Sequence, residues 1–261
     1  MNPFARPLFD DMPDRVASNN GVTILNELQR RREDVATQVV TRLAASDELT
    51  AAIQRNVAPY RRLMTYYECA MMEAETKFRV LDAEFGLQHD RNPIESIKTR
   101  LKSTDSLAKK LSRKGFPLSV ESVERNIFDV AGVRVVCTFP EDIFTLADAL
   151  LAQDDVRLVE RRDYVSNPKP TGYRSLHLIV EIPIFLEREK RLVKVEVQLR
   201  TISMNFWASL EHQLRYKKNL PEAEAQAVAD ELADLAETAA NLDARMQALR
   251  TFLDNAKETD E

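Results

Sequence analysis

Residues 191–201 read RLVKVEVQLRT, and the strict alternation along this stretch predicts a β-strand with two different faces. The apolar face carries Val193, Val195, Val197 and Leu199. The polar face carries Lys194, Glu196, Gln198 and Arg200. A carboxylate at the middle of a polar face is by itself ordinary amphipathicity. Glu196 becomes a candidate metal ligand if a second carboxylate lies near, and Asp129 can supply one from the start of another predicted strand.

Three further stretches are rich in β-branched residues and predict three more strands. They read AGVRVVCTF (131–139), VRLVERRDY (156–164) and RSLHLIVEIPIF (174–185). A helix is expected between the first two, around EDIFTLADALLAQ (141–153), and another after the last strand, over SMNFWASLEHQLRY (203–216). The layout predicts an α/β (α+β) fold in which helices flank a small mixed sheet.

Two heptad stripes predict long helices on either side of this region. The first stripe consists of Tyr60, Met64, Tyr67, Met71, Ala74, Phe78, Leu81 and Phe85. The second consists of Val228, Leu232, Leu235, Ala239, Leu242, Met246, Leu249 and Leu253. The second stripe needs a partner, either another subunit or the Tyr60 helix of the same chain. An earlier helix is expected over residues 22–43.

The composition, with 44% hydrophobic and 30% charged residues in 261, is that of a globular chain with a sizeable core. Cys69, Cys137 and the three histidines lack the spacing of a disulfide framework or a zinc site. There is no apolar run of about 18 residues and no secretory pattern at the N-terminus, so we expect a soluble, cytoplasmic protein without a membrane partner.

The charge is unevenly distributed around a net value of −5. Residues 100–114 hold six basic side chains and one acid, whereas residues 221–261 hold eleven acids and three basic side chains. A focused cationic patch in an acidic protein suits a small anion such as a nucleotide better than a long nucleic acid.

The five glycines are too widely spaced to form a glycine-rich phosphate loop, so bound phosphates would need side-chain cations. Such cations gather in TRLKSTDSLAKKL (99–111). We expect a helix that starts near Pro93 and ends before Gly115. One face of it would carry Arg100, Lys102, Ser103, Ser106 and Lys110. The alternative is a solvated basic face, which would normally interleave acids, but only Asp105 intrudes.

The segment DYVSNPKPTGYRSLH (163–177) contains two prolines and a glycine and predicts a shaped loop. Its tip offers Lys169, Tyr173 and His177. The Tyr173 ring would either pack on its own strand or stack on a base, a contact worth about 1–3 kcal/mol.

These segments together resemble the synthetase domain of the RelA/SpoT family, from about Pro93 to Lys217, and the length is similar to that of its small alarmone synthetases. TRLKSTDSLAKKL resembles the Arg-x-Lys-x-x-x-Ser-x-x-x-Lys signature of the family. FDVAGVRVV, ERRDYVSNPKPTGYRSLH and VEVQLRT each resemble another of its motifs. The chain then divides into a helical region (1–90), a synthetase domain (91–218) and a C-terminal helix for oligomerisation (219–261).

The resemblance implies a nucleotidyltransferase-like fold and transfer of the β,γ-pyrophosphate of ATP to the 3′-oxygen of GTP or GDP, which gives (p)ppGpp and AMP. It leaves open whether GMP is also an acceptor. Mg²⁺ would be the cofactor, held by Asp129 and Glu196, and Glu196 would also take the proton of the 3′-hydroxyl. Phosphoryl transfer depends mainly on positioning and on charge neutralisation, which a metal and several cations supply.

The resemblance also implies roles for the other site residues. On the ATP side, Arg100 and Arg134 would flank the adenine, and Lys102, Ser106 and Lys110 would hold the phosphates. On the acceptor side, Tyr173 would stack on guanine and Asn205 would read its edge. The acceptor phosphates would face Arg162, Lys169 and His177. The supporting residues would be Gln198, Glu211 and His212.

Two alternatives remain beside a GTP pyrophosphokinase. A relative that modifies the 3′-end of tRNA would need a more basic rim, and Tyr173 with Asn205 favours a free guanine nucleotide. A catalytically silent nucleotide sensor or RNA-binding regulator would not need both carboxylates and every donor-site cation. Synthesis without hydrolysis is expected, because too little chain precedes His89-Asp90 for a hydrolase domain. The family further implies a homo-oligomer, a tetramer, and regulation by RNA stays open although no nucleic acid is required.

Overall fold

The computed structural model describes residues 47–48, 50–51, 57–88, 91–215 and 221–258, so the helix expected over residues 22–43 lies outside it. The helices are α1 (Val57–Gln88), α2 (Thr104–Arg113), α3 (Val120–Asn126), α4 (Pro140–Leu151), α5 (Ile202–Arg215) and α6 (Glu222–Glu258). The strands are β1 (Ile94–Leu101), β2 (Ala131–Cys137), β3 (Arg157–Asp163), β4 (Leu176–Phe185) and β5 (Lys190–Thr201). None of the helices in the described ranges is long and apolar enough to cross a membrane.

The five strands form one mixed sheet in the order β1-β2-β5-β4-β3. β2 and β5 run parallel at the centre, and the other neighbours are antiparallel. The four strands predicted from alternation are therefore confirmed as β2 to β5, and the predicted mixed sheet with flanking helices is confirmed as well.

One face of the sheet is covered by α1 and α4. The alternating valines of β5 are buried there, as are Phe78 and Ala74 of α1 and Leu146 of α4. The Tyr60 stripe thus packs on the sheet of its own chain, since α1 contacts β1, β2, β4 and β5. The opposite face of β1, β2 and β5 keeps its polar side chains partly exposed.

The single helix predicted between Pro93 and Gly115 is wrong in its first half. Residues Ile94–Leu101 form β1, and a helix begins only at Thr104, capped by Ser103, whose hydroxyl accepts from the Ser106 amide at 3.4 Å. A register shift between Ile94 and Ser96 is the physical reason, because a bulge spaces two apolar side chains by three residues and imitates helical periodicity. Arg100 and Lys102 are therefore not on a helical face.

The second heptad stripe lies on α6, which packs against α5 and, over a smaller area, against α4. No comparable contact with α1 is present in the described residues, so folding back on the Tyr60 helix is wrong as its partner. Leu232 is buried, whereas Leu242, Met246 and Leu249 are each about half exposed.

Candidate functional site

Two rows of cross-strand neighbours run over the open face of the sheet, since residues paired in register share a face. The first row is Arg100, Gly132, Glu196, Ile179 and Glu160. The second row is Lys98, Arg134, Gln198, His177 and Arg162. Because Gly132 has no side chain, the first row has a gap between the Arg100 and Glu196 side chains. The register alone therefore brings the motifs of four sequence segments onto one surface.

The gap is part of a cleft of about 420 Å³. Its lining consists of Lys98, Thr99, Arg100, Lys102, Asp129, Gly132, Val133, Arg134, Glu196 and Gln198. The cleft thus contains four cationic side chains and two carboxylates. Such a combination of cationic and carboxylate side chains is expected in a site that binds a polyphosphate together with a metal cation.

Asp129 lies between α3 and β2 and is held by two lysines. The Nζ atoms of Lys102 and Lys110 donate to its Oδ2 at 2.8 Å and 2.7 Å, while its buried Oδ1 has no hydrogen-bond partner among the residues that the structure describes. Burial raises the pKa of Asp129, but the hydrogen bonds and charges of the two lysines outweigh it, so the pKa lies below the ordinary aspartate value. Asp129 is therefore an ionised carboxylate with one oxygen free to bind a ligand.

Glu196 faces the same cleft from the middle of β5. Its Oε1 lies 3.3 Å from His177 Nδ1, and its Oε2 accepts from Gln198 Nε2 at 2.9 Å. Burial raises the pKa of Glu196 and the hydrogen bond from His177 lowers it. The charge on Asp129 raises the pKa and the bond from Gln198 lowers it, and the sum lies below the ordinary glutamate value. Asp129 and Glu196 thus line the same cleft as two ionised carboxylates.

The pair is suited to a magnesium ion rather than to a protein-only metal cage. In the described ranges no group of three or more His, Cys, Asp and Glu side chains could hold a metal. Mg²⁺, however, is usually bound by one or two carboxylates together with substrate phosphates and water. The unpartnered Oδ1 of Asp129 is the observation that fits such a ligand.

A polar cluster adjoins Glu196 at the end of the second row. The Tyr173 hydroxyl lies 2.8 Å from His177 Nε2 and accepts from the guanidinium of Arg200 at 2.5 Å. If Tyr173 in turn donates to Nε2, His177 carries its proton on Nδ1 and donates to Glu196, which makes one consistent chain of bonds. Lys169 Nζ lies 4.8 Å from the centre of the Tyr173 ring and 4.6 Å from that of Tyr164. The loop residues predicted for the acceptor are thus connected to the carboxylate.

The remaining predicted residues are less closely integrated. Arg162 forms a salt bridge with Glu160, and Ser106 bonds Ser103 at the start of α2. Asn205 lies on α5, and within the described part of the chain its buried Oδ1 has no hydrogen-bond partner. Two further predicted residues, Glu211 and His212, follow on α5.

The sequence interpretation missed three residues of this surface, namely Lys98, Gly132 and Arg200. Because Lys98 falls in the segment that was predicted as a helix, its position opposite Arg134 on the neighbouring strand was not predicted. A glycine inside a strand often marks a close approach of a ligand, and this signal was available for Gly132. Arg200 is only 5% exposed and donates to Tyr173 and Gln198. Its position at the end of the polar face of β5 was the signal for it.

Comparison with known proteins identifies the family of this chain. Residues 99–220 match the family described as the region found in RelA / SpoT proteins. The GTP pyrophosphokinase YwaC of Bacillus subtilis is 41% identical over 197 residues, which cover 75% of this chain and 92% of that protein.

Two solved structures from Bacillus subtilis are similar as well. The small alarmone synthetase 2 structure has a TM-score of 0.66 at 40% identity and covers 74% of this chain and 98% of its own. The small alarmone synthetase 1 structure, bound to its product pppGpp, has a TM-score of 0.64 at 35% identity. The match covers 76% of this chain and 96% of that one. The chain described here therefore belongs to the RelA/SpoT family, among its small alarmone synthetases.

Proposed function

We propose that this protein is a GTP pyrophosphokinase that moves the β,γ-pyrophosphate of ATP to the 3′-hydroxyl of GTP or GDP. The observation that supports the proposal is the cleft that Asp129 and Glu196 line together with four cationic side chains. The similarity to YwaC and to a synthetase with bound pppGpp supports the same reaction.

Asp129 and Glu196 would hold a Mg²⁺ ion, and both carboxylates have pKa values below their ordinary range, so both are ionised at neutral pH. When bound, the metal would neutralise phosphate charge and orient the transferred group. Enzymes that transfer phosphoryl groups depend on this neutralisation more than on covalent chemistry.

The ATP would occupy the β1–β2 side of the cleft. Arg100 and Arg134 lie there on neighbouring strands, and their planar guanidinium groups can stack on an adenine. Lys102 and Lys110 both reach the edge of the cleft at Asp129 and would bind the phosphates, with Ser106 beside them on α2. Before a nucleotide binds, the two lysines would neutralise the negative charge of Asp129, because one of its oxygens accepts from both.

The guanine nucleotide would occupy the β5–β4 side. Tyr173 would stack on the base, and Asn205 would read the guanine edge. Lys169, His177 and Arg162 would face its phosphates, with Gln198 supporting the site. Glu196 would accept the 3′-hydroxyl proton, and His177 would hold that carboxylate in place through the 3.3 Å contact.

An acceptor assay tests the proposal. The protein is incubated with Mg²⁺ and ATP labelled in its terminal phosphates, and with GMP, GDP, GTP or tRNA in separate reactions. We expect label on GDP and GTP, with release of AMP, and no label on tRNA. Label on tRNA alone would replace the acceptor by an RNA 3′-end. No transfer to any of them would favour a silent nucleotide-binding protein.

A further inference from the structure

The C-terminal helix α6 lies directly against the loop that carries Tyr173. Gly172 adopts a φ of 85°, and a methyl group added there would lie 2.4 Å from the Cβ of Ala236 and 3.5 Å from the Cα of Ala233. The loop backbone is thus in contact with the helix, with no room for a side chain between them. The loop cannot shift toward α6, and α6 cannot rotate without displacing Gly172.

A second set of contacts fastens α6 to the end of β5. Asp243 Oδ2 accepts from the hydroxyls of Thr201 and Ser203, both at 2.5 Å. Thr201 is the last residue of β5, the strand of Glu196 and Gln198. The helix is therefore attached both to the loop that carries Tyr173 (residues 163–177, here called the acceptor loop) and to β5, the strand that carries Glu196.

At the Ala236 contact lies a small apolar cluster that is separate from the main core. Its buried members are Trp207, Ala208, Leu232 and Ala236, and Tyr173 packs against them. The indole Nε1 of Trp207 donates to the Leu232 carbonyl at 2.9 Å, which fixes α5 against α6. One side of the Tyr173 residue consequently touches the α5–α6 cluster, while its hydroxyl reaches His177 and Arg200.

We propose that α6 is a positioning element for the guanine-nucleotide site, in which Ala236 and Asp243 hold the Tyr173 loop and the end of β5. The inference rests on the proposed function, because Tyr173 and Glu196 act there on the acceptor. It assigns to α6, which begins after the family-matched residues 99–220, a role in substrate binding besides assembly. ATP binds on the far side of the cleft, so α6 acts on the acceptor and not on the donor.

Ala236→Leu tests the loop contact, and Ala244→Leu, an exposed site on the same helix, is the matched control. The larger side chain at position 236 must push the Gly172 backbone away. Since a misplacement of about 1 Å can cost up to about 10²-fold in rate, we expect the KM for GDP to rise at least about tenfold. The KM for ATP should stay within about twofold of the wild-type value in this scheme. A purely structural defect would instead reduce the amount of active enzyme and leave both KM values unchanged, and that result overturns the proposal.

Asp243→Ala supplies a second test that introduces no bulk, with Asp234→Ala, exposed on α6, as its control. We expect weaker GDP binding in calorimetry for Asp243→Ala alone, with ATP binding retained. Calorimetry also separates the two proposals. If the wild-type protein binds GDP without turnover, the proposed pyrophosphokinase activity is wrong, but the effect of α6 on GDP affinity can still be measured. If neither variant changes GDP affinity or the KM for GDP, the positioning role is wrong even when the enzyme is active.

Discussion

Glu196 keeps its negative charge although its side chain is only 17% exposed, because His177 and Gln198 both donate to it. The alternation of residues 191–201 predicted its face of the strand. It also placed Gln198 on that face, but it did not predict the contact with His177, which comes from β4 and depends on the register between the strands. Asp129 was predicted as the second carboxylate, but the two lysines on one of its oxygens follow from β1 and α2 meeting at its position. Pairings of this kind are set by tertiary packing and leave no local pattern.

Glu196→Gln separates charge from shape. The amide keeps the size of the side chain but cannot accept a proton or bind a metal as strongly, so we expect turnover to fall by at least about 10²-fold. Binding of GDP and ATP should persist, as measured by calorimetry. Glu187→Gln, at an exposed glutamate in the β4–β5 turn, should retain wild-type turnover. Unchanged turnover in the Glu196 variant would remove this residue from the mechanism.

Asp163, at the start of the acceptor loop, is expected to make a pH-dependent contribution to the free energy of unfolding. Burial raises the pKa of Asp163, but hydrogen bonds from the Ser166 amide and hydroxyl and from the Val165 amide outweigh it and hold the pKa below the ordinary value. A lowered folded-state pKa stabilises the protein above the unfolded value of about 3.9, and this contribution is lost as the pH falls through the folded value.

We therefore expect Asp163→Asn to lower the free energy of unfolding at pH 7 by about 1 kcal/mol, the scale of one hydrogen bond. The difference from wild type should shrink as the pH is lowered toward and below about 4. Urea unfolding at several pH values measures it. A difference that stays constant over this range would show that the charge of Asp163 does not contribute.

At the scale of elements, the sheet was predicted except for its edge. The four stretches with clear alternation became β2 to β5. The strands β2, β4 and β5 bury apolar side chains in the main core, whereas β3 is an edge strand paired only with β4 in the described sheet and is largely exposed. β1 was missed since its bulge places Ile94 and Ile97 three residues apart. Beyond the bulge, Ile97, Thr99 and Leu101 do alternate with Lys98 and Arg100, but this run is too short to outweigh the helical spacing around it. A local pattern cannot reveal a bulge that is defined by the partner strand.

A substitution at Gly132 tests whether substrates use the floor of the cleft, which the parallel strands β2 and β5 form at the centre of the sheet. A Cβ at this position would meet only the Arg100 and Glu196 carbonyls at 3.6 Å and 3.9 Å, which is ordinary contact, so the strand itself tolerates a side chain. Gly132→Val would fill the gap between the Arg100 and Glu196 side chains. We expect a folded protein whose kcat/KM falls at least about tenfold, as for misplaced substrates.

The matched control for Gly132→Val is Gly86→Ala on α1, where an added Cβ meets no atom of the described residues within 4 Å. That variant should be fully active and slightly more stable in a thermal melt, because alanine favours a helix by up to about 1 kcal/mol over glycine. Full activity of Gly132→Val would mean that substrates do not use the floor of the cleft.

At the scale of the whole molecule, the side chains of the heptad stripe of α6 are unevenly covered within the chain. In its first half Leu232 is buried against α5, whereas Leu235 is 46% exposed. Its second half leaves Leu242, Met246, Leu249 and Leu253 between 49% and 60% exposed. The sequence pattern is the same in both halves, so it could not tell which half packs within the chain. An exposed apolar surface of this length is typical of an interface between subunits.

A mass measurement by light scattering at micromolar concentration tests this interface. We expect a homo-oligomer, a tetramer, because pairing of the exposed α6 halves would remove their apolar side chains from water. Leu249→Glu combined with Leu253→Glu should reduce the mass, since two charges per chain would enter the interface. Leu87→Glu, at an isolated leucine that is 89% exposed at the end of α1, should leave the mass unchanged. A wild-type mass of a single chain would contradict the interface. It would not contradict the contacts of Ala236 and Asp243, which lie within one chain.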